Sequence, residues 1–275
     1  SEHFIAGFFS YEMGYALQET KQAEENKAKP LIQLAVFKDA LIYSHKKGCF
    51  NTDPPEGLLL SKGKNAGGFH ISDPAFNLTE EEYGENIRSI KEHIRAGNTY
   101  QVNYTGKIRF DMEGSPLAFY EHLKENQATG YSAFLKWPGH HVLSLSPELF
   151  FRRNKDVLFS RPMKGTMKRG KTCGQDERIK KDFYENTKER AENLMIVDLI
   201  RNDIGRISQT GTVKVEKLFE IETYESLFQM TSSISGRLLP GTAYLDIFQS
   251  LFPGGSVTGA PKIKTMEIIK GLEKE

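Results

Sequence analysis

The chain has 275 residues, 38% hydrophobic and 27% charged, with 37 Lys+Arg against 36 Asp+Glu. This length suffices for one large single-core domain or two modest ones, and the charge balance gives no bulk electrostatic case for nucleic acid. No apolar run approaches the ~18 residues of a membrane span, and the opening SEHFIAGFFSYEMG has no basic n-region, so neither a membrane helix nor a secretory signal is expected.

In chain order, Leu17 to Pro30 is polar and charge-mixed and reads as a surface loop or frayed helix. Leu31 to His45 is apolar, with β-branched and aromatic residues, and reads as one or two strands. Lys62 to Gly68 reads as a loop. Thr79 and Glu82 make a capping box. Tyr83, Ile87, Ile90 and Ile94 follow at helical spacing, and Gly97 ends that helix. Thr99 to Phe110 alternates as a strand, and Ser115-Pro116 opens a short helix through Leu123. YSAFLKW and HVLSLS read as strands, and ELFFRRNKDVLFS as a hairpin turning near Asn154-Lys155. Asp176 to about Asn202 reads as one long helix; GTAYLDIFQSLF and PKIKTMEIIKGLE are two more.

The strands and helices do not alternate as a doubly wound parallel sheet would. The reading is α+β: large, mainly antiparallel sheets with helices packed outside. No convincing linker interrupts residues 1–275, so one domain is expected. Cys49 and Cys173 form no CxxC pair, which fits a reducing cytosol and inert thiols. The seven histidines do not fall at HExxH spacing, and no G-x-S-x-G elbow occurs. PGGSVTGAPK, Pro253 to Lys262, fails as a phosphate loop because Ala260 stands where the lysine belongs.

Three positions could carry chemistry. Lys164 lies on the Pro/Gly-punctuated stretch RPMKGTMKRG, with Arg161, Lys168, Arg169 and Lys171 close in sequence. Glu148 follows Ser-Pro, where Pro147 has no amide for a ladder and turns the chain. In a hairpin turning near Asn154-Lys155, Glu148 and Arg161/Lys164 fall at the same end. The plain alternative is a rim salt bridge, worth ~0–1 kcal/mol. Glu189 and Glu192, three apart, share a helix face. The apolar turns that follow put Glu192 in a largely buried segment, where an unpaired carboxylate is costly. A hard divalent cation is one candidate to neutralise it; the alternative is an amphipathic helix with its acids in water.

ENLMIVDLIRNDIGR, KGT and GGSVTGAPK, with AGFFSYEMGY and MEIIKGLE at the two ends, make the chain resemble the chorismate-utilising enzymes over nearly its whole length. Within that family it is most similar to component I of aminodeoxychorismate synthase, and related to anthranilate synthase component I. The resemblance implies a β-sandwich core, with amination of chorismate at C4 as precursor of p-aminobenzoate and folate. It implies Lys164 as nucleophile, Glu148 as acid and base, and Glu192 as a Mg2+ (magnesium) ligand helped by Glu189. Depression of the Lys164 value by burial, by Arg161 and by the ion is part of that expectation. Thr258, Gly259 and Ala260 would hold substrate through backbone amides, with Gln101 and Thr166 beside them. Glutamine at position 101 marks ammonia-adding members, where water-adding ones carry a lysine base. Lys164 stands where anthranilate synthases have alanine, and Phe228 where many relatives have histidine. A cytoplasmic glutamine amidotransferase subunit would supply the ammonia. Arg201, Asn202 and Asp203 are expected to be structural.

The family's usual N-terminal segment, and its later strand, substrate arginine and second metal glutamate, do not occur within these 275 residues. That implies a truncated product or part of a longer protein, and leaves two alternatives: anthranilate synthase component I, and a non-catalytic paralogue that keeps only an interaction surface.

Overall fold

A computed structural model describes residues 3–18, 30–44, 46–54, 67–127 and 129–273. Most of the expected loop at Lys62 to Gly68, and most of that at Leu17 to Pro30, lie outside them. The elements run β1 (Phe4–Phe9), α1 (Met13–Leu17), β2 (Ile32–Phe37), β3 (Tyr43–Ser44), β4 (Cys49–Phe50), β5 (Phe69–Phe76) and α2 (Glu80–Arg95). Then come β6 (Gln101–Val102), β7 (Ile108–Gly114), α3 (Pro116–Asn126), β8 (Tyr131–Trp137), β9 (His140–Ser146), β10 (Leu149–Asn154), β11 (Val157–Arg161) and β12 (Met163–Lys168). The chain continues through α4 (Cys173–Glu185), α5 (Thr187–Gly205), β13 (Lys214–Thr223), β14 (Leu227–Arg237), α6 (Tyr244–Leu251), β15 (Gly259–Ala260) and α7 (Lys262–Leu272).

Every strand pairing is antiparallel. The described residues form one five-stranded sheet and five two-stranded ones, rather than an outlined pair of large sheets. The axis of the large sheet is β14, buried along most of its length. One of its edges pairs with β13; the other is shared end to end by β11 and β12. Pro162 separates those two: it cannot donate to a ladder, but its carbonyl still accepts from the Ser232 amide at 3.1 Å. The hairpin forms as read, with Leu149 opposite Arg161 and Asn154 opposite Val157.

Helix α5 lies on this sheet. Ile196, Val197, Ile200 and Ile204 occupy one face and pack with Leu158, Ile234, Ile247 and Leu251. Each fully buried side chain of this kind contributes roughly 1.5–3 kcal/mol, so this face fixes the helix. Of its buried polar groups, Asn193 accepts from the Ser232 hydroxyl at 2.6 Å and donates to the Met230 carbonyl at 3.2 Å.

Two expectations need correction. The long helix is two: Asn186 sits in extended backbone and its side chain accepts from the Lys188 and Glu189 amides, so it caps α5 after ending α4. The single strand from Thr99 to Phe110 is also two, because β6 pairs with β15 while β7 pairs with β5. The capping box on α2 is present as read, yet Tyr83 and Ile94 are exposed and only Ile90 of its apolar set is buried.

Candidate active site

Glu148 and Lys164 meet at one residue, Ser256, in the short 3-10 turn Gly255–Val257. The Ser256 hydroxyl donates to Glu148 Oε1 at 2.5 Å, and Lys164 Nζ donates to the Ser256 carbonyl at 3.3 Å. Glu148 is set in place locally: its amide donates to the Ser146 hydroxyl at 3.2 Å, and that hydroxyl contacts the Glu148 carbonyl. A cavity of about 330 Å³ opens beside Glu148 and Ser256, with Tyr11 on its rim and Phe9, Phe150 and Phe252 as apolar walls.

Burial raises the Glu148 carboxyl above the ordinary carboxylate range, against the Ser256 hydroxyl, the Met163 amide and the charge of Lys164, which favour the ion. Burial also lowers Lys164 below the ordinary lysine value, against the pull of Glu192, Glu148 and Glu189. The expected help from Arg161 is absent: Arg161 is ion-paired with Glu222 at 2.9 Å, and Arg169 with Asp176. The neighbours of Lys164 are carboxylates, not a crowd of like charges, so desolvation alone depresses it.

Glu189 of α5 reaches this site past Gly165, whose φ is +97°. A Cβ there would lie 2.7 Å from Glu189 Oε2 and 3.2 Å from the Phe183 ring, so only glycine lets helix and strand close up. Glu192 is less buried than expected. It is 35% exposed and pairs with Lys188 at 3.7 Å, and Leu194, in the apolar turns that follow it, is 42% exposed. Among the described residues no group of three or more His, Cys, Asp and Glu side chains could hold a metal by itself. Glu189 and Glu192 both lie close enough to Lys164 to act on its charge, and Mg2+ needs only one or two carboxylates, completing its shell with water and substrate oxygens.

The remaining predicted positions cluster one turn further along. Gly259 pairs with Val102 and Ala260 with Gln101. Gly259 has φ +140°, and a Cβ on it would fall 2.0 Å from the Gln101 carbonyl. Thr258 is fully buried; its hydroxyl donates to the Gly254 carbonyl at 2.9 Å and meets the Tyr11 hydroxyl at 3.5 Å. Gln101 Oε1 is buried with no hydrogen-bond partner among the described residues. Thr166 points away from this cluster, donating to Gln229 Oε1 at 3.0 Å across the β12–β14 ladder.

Three residues went unread in the sequence. Ser256 lies inside GGSVTGAPK, and only its long-range partners distinguish it. Tyr11 reaches the site from the N-terminal segment. Lys262 opens α7, where a cation opposes the helix dipole. That misplacement was a usable signal, for Lys262 is buried and donates to Asp203 at 2.7 Å and to the Leu251 carbonyl at 2.9 Å. Asp203 is thus structural, as expected.

A hairpin end, a helix face and a glycine-rich turn thus converge on one half-buried acid–amine pair; the chain belongs to the chorismate binding enzyme family, whose model matches residues 1–275. It is 34% identical to "Aminodeoxychorismate synthase component 1" of Klebsiella aerogenes, over 98% of this chain and 62% of that protein. It is 39% identical to "Anthranilate synthase component 1" of Aquifex aeolicus, over 72% of this chain and 40% of that one. The crystal structure of anthranilate synthase component I from Streptococcus pneumoniae superposes with a TM-score of 0.83 at 26% identity, covering 99% of this chain and 66% of that chain. The chain therefore spans about three-fifths of the length of the aminodeoxychorismate synthase relative. Among the described residues no helix is long and apolar enough to cross a membrane.

Proposed function

We propose that this chain carries the catalytic centre of an aminodeoxychorismate synthase, replacing the C4 hydroxyl of chorismate with an amino group. The observation that carries the reading is the Glu148–Ser256–Lys164 contact, an acid and an amine held together in a half-buried site. With ordinary values near 4.3 and 10.4, a protonated glutamate beside a free lysine amine would be roughly one state in a million. Burial shifts the two groups towards each other, and each unit of convergence multiplies that reactive state tenfold.

In this reading the Lys164 amine forms a bond to C2, the ring double bond shifts, and the C4–O bond breaks. The leaving hydroxyl takes the Glu148 proton and departs as water. Ammonia then bonds to C4, the double bond returns, and Lys164 leaves C2 as a neutral amine. The Glu148 carboxylate recovers its proton from the new C4 ammonium group. The buried, unpartnered Gln101 oxygen suits an N–H donor such as the incoming ammonia. Glu189 and Glu192 would hold Mg2+, which supplies charge neutralisation for a dianionic substrate. Since the relatives are named component 1, a glutamine amidotransferase as second component is the natural ammonia source.

A second reading, anthranilate formation, is favoured by the 39% identity to the Aquifex aeolicus protein. Lys164 and the wholly buried Phe228, which cannot move a proton, weigh against it. The test is product analysis after incubation with chorismate, Mg2+ and ammonium. Appearance of 4-amino-4-deoxychorismate supports amination; release of fluorescent anthranilate, or no turnover, overturns it.

A further inference from the structure

We propose that Ser256 is a positioning residue that holds the Glu148 carboxylate by one oxygen and, through its own carbonyl, aims the amine of Lys164. The inference rests on the amination reading for its purpose, but its geometry stands separately. Ser256 is 8% exposed. Its hydroxyl and its carbonyl serve two different side chains, 108 and 92 residues away in sequence. A hydroxyl spent on Glu148 Oε1 leaves Oε2 as the oxygen able to exchange a proton with substrate. A carbonyl that takes one N–H of Lys164 restricts the lone pair to the two remaining directions once the amine is neutral. One small residue therefore sets the relative aim of acid and nucleophile.

The other groups facing Glu148 are the Lys164 ammonium from β12, the Met163 amide, the Tyr11 phenol across the cavity, and Asp203 behind it, which is held by Lys262 and Arg206. None of these changes when the Ser256 hydroxyl is removed. A hydrogen bond to a carboxylate favours the ion, so Ser256→Ala raises the Glu148 value further. Loss of one such bond corresponds to about one pH unit.

The experiment is a carboxyl-carbon NMR titration of the chain labelled at glutamate, with Glu148→Gln assigning the resonance. In Ser256→Ala the Glu148 midpoint moves up by about one unit, and in Ser256→Thr, which keeps the hydroxyl, it stays near the parent. An unmoved midpoint in Ser256→Ala overturns the proposal. If the alanine variant does not fold, Ser256→Cys, a weak donor, is read by the same criterion. In the kinetics, the acid limb of kcat/KM shifts upward with the NMR midpoint. An equal loss at all pH values would mark a merely structural residue and overturn the assignment. Because the titration needs no turnover, failure of the amination reading shows itself separately, as a parent chain that makes no aminated product.

Discussion

At the scale of single residues, the acid–amine pair sets the pH response. In the amination reading the reactive pair holds one proton between its two groups, so turnover needs Glu148 and Lys164 to have lost one and kept one. The rate therefore rises with pH through the Glu148 value, which is raised by burial, and falls through the Lys164 value, which is lowered by burial. The expected kcat/KM profile is a bell narrower than the ~4.3 to ~10.4 window of the free side chains; a plateau across that whole window would contradict the assignment. Lys164→Ala removes covalent capture and lowers amination by at least about 100-fold, while Glu148→Gln depresses kcat more than it alters KM; steady-state kinetics check both. Glu192→Gln raises the Mg2+ concentration needed for half-maximal chorismate binding by about tenfold, measured by calorimetry. Most of these residues were legible in the sequence because their motifs are short and local. Their electrostatics were not. The pairing of Arg161 with Glu222 joins residues from separate strands, and nothing near RPMKGTMKRG announces it.

At the scale of elements, two glycines decide how closely the parts of the site approach. Gly259→Ala would drive a methyl group into the Gln101 carbonyl and force an unfavourable φ, so β6 and β15 should part. The expected outcome is a loss of about 1–3 kcal/mol in urea unfolding with a raised KM for chorismate. Normal stability with normal KM would mean the two strands do not shape the substrate pocket. Helix periodicity was readable, and α2, α6 and α7 lie where the pattern put them. The break at Asn186 was not, because an asparagine that caps one helix and ends another differs from an exposed helical asparagine only in its backbone. The split between β6 and β7 failed for a related reason: alternation reports a strand but not its partner.

At the scale of the whole molecule, Lys262 and Asp203 fasten the end of α5 to the start of α7 and so close the glycine-rich turn that carries Ser256 and Thr258. Lys262→Met should cost about 3–5 kcal/mol, because it strands a buried carboxylate. The double variant Lys262→Met with Asp203→Leu should recover much of that, and urea unfolding of both variants separates pairing from packing. Antiparallel pairing and helices outside the sheet could be read from hydrophobic pattern alone. The central place of β14, buried along most of its length and flanked by three strands, could not, since Gln229, Thr231, Ser232, Ser233 and Ser235 give it little apolar signal. The buried Ser232 hydroxyl donates to Asn193 and that of Thr231 to the Glu220 carbonyl.

The long reach of Ser256 also has a consequence in time. Synthesis proceeds at about 5–20 residues per second, so the 108 residues between Glu148 and Ser256 take roughly 5 to 20 seconds to emerge. A hairpin such as β10–β11 closes in about 1–10 μs. The acid is thus in its hairpin long before the turn that buries it has been made. Until then Glu148 lacks the hydroxyl that holds its carboxylate in the folded chain.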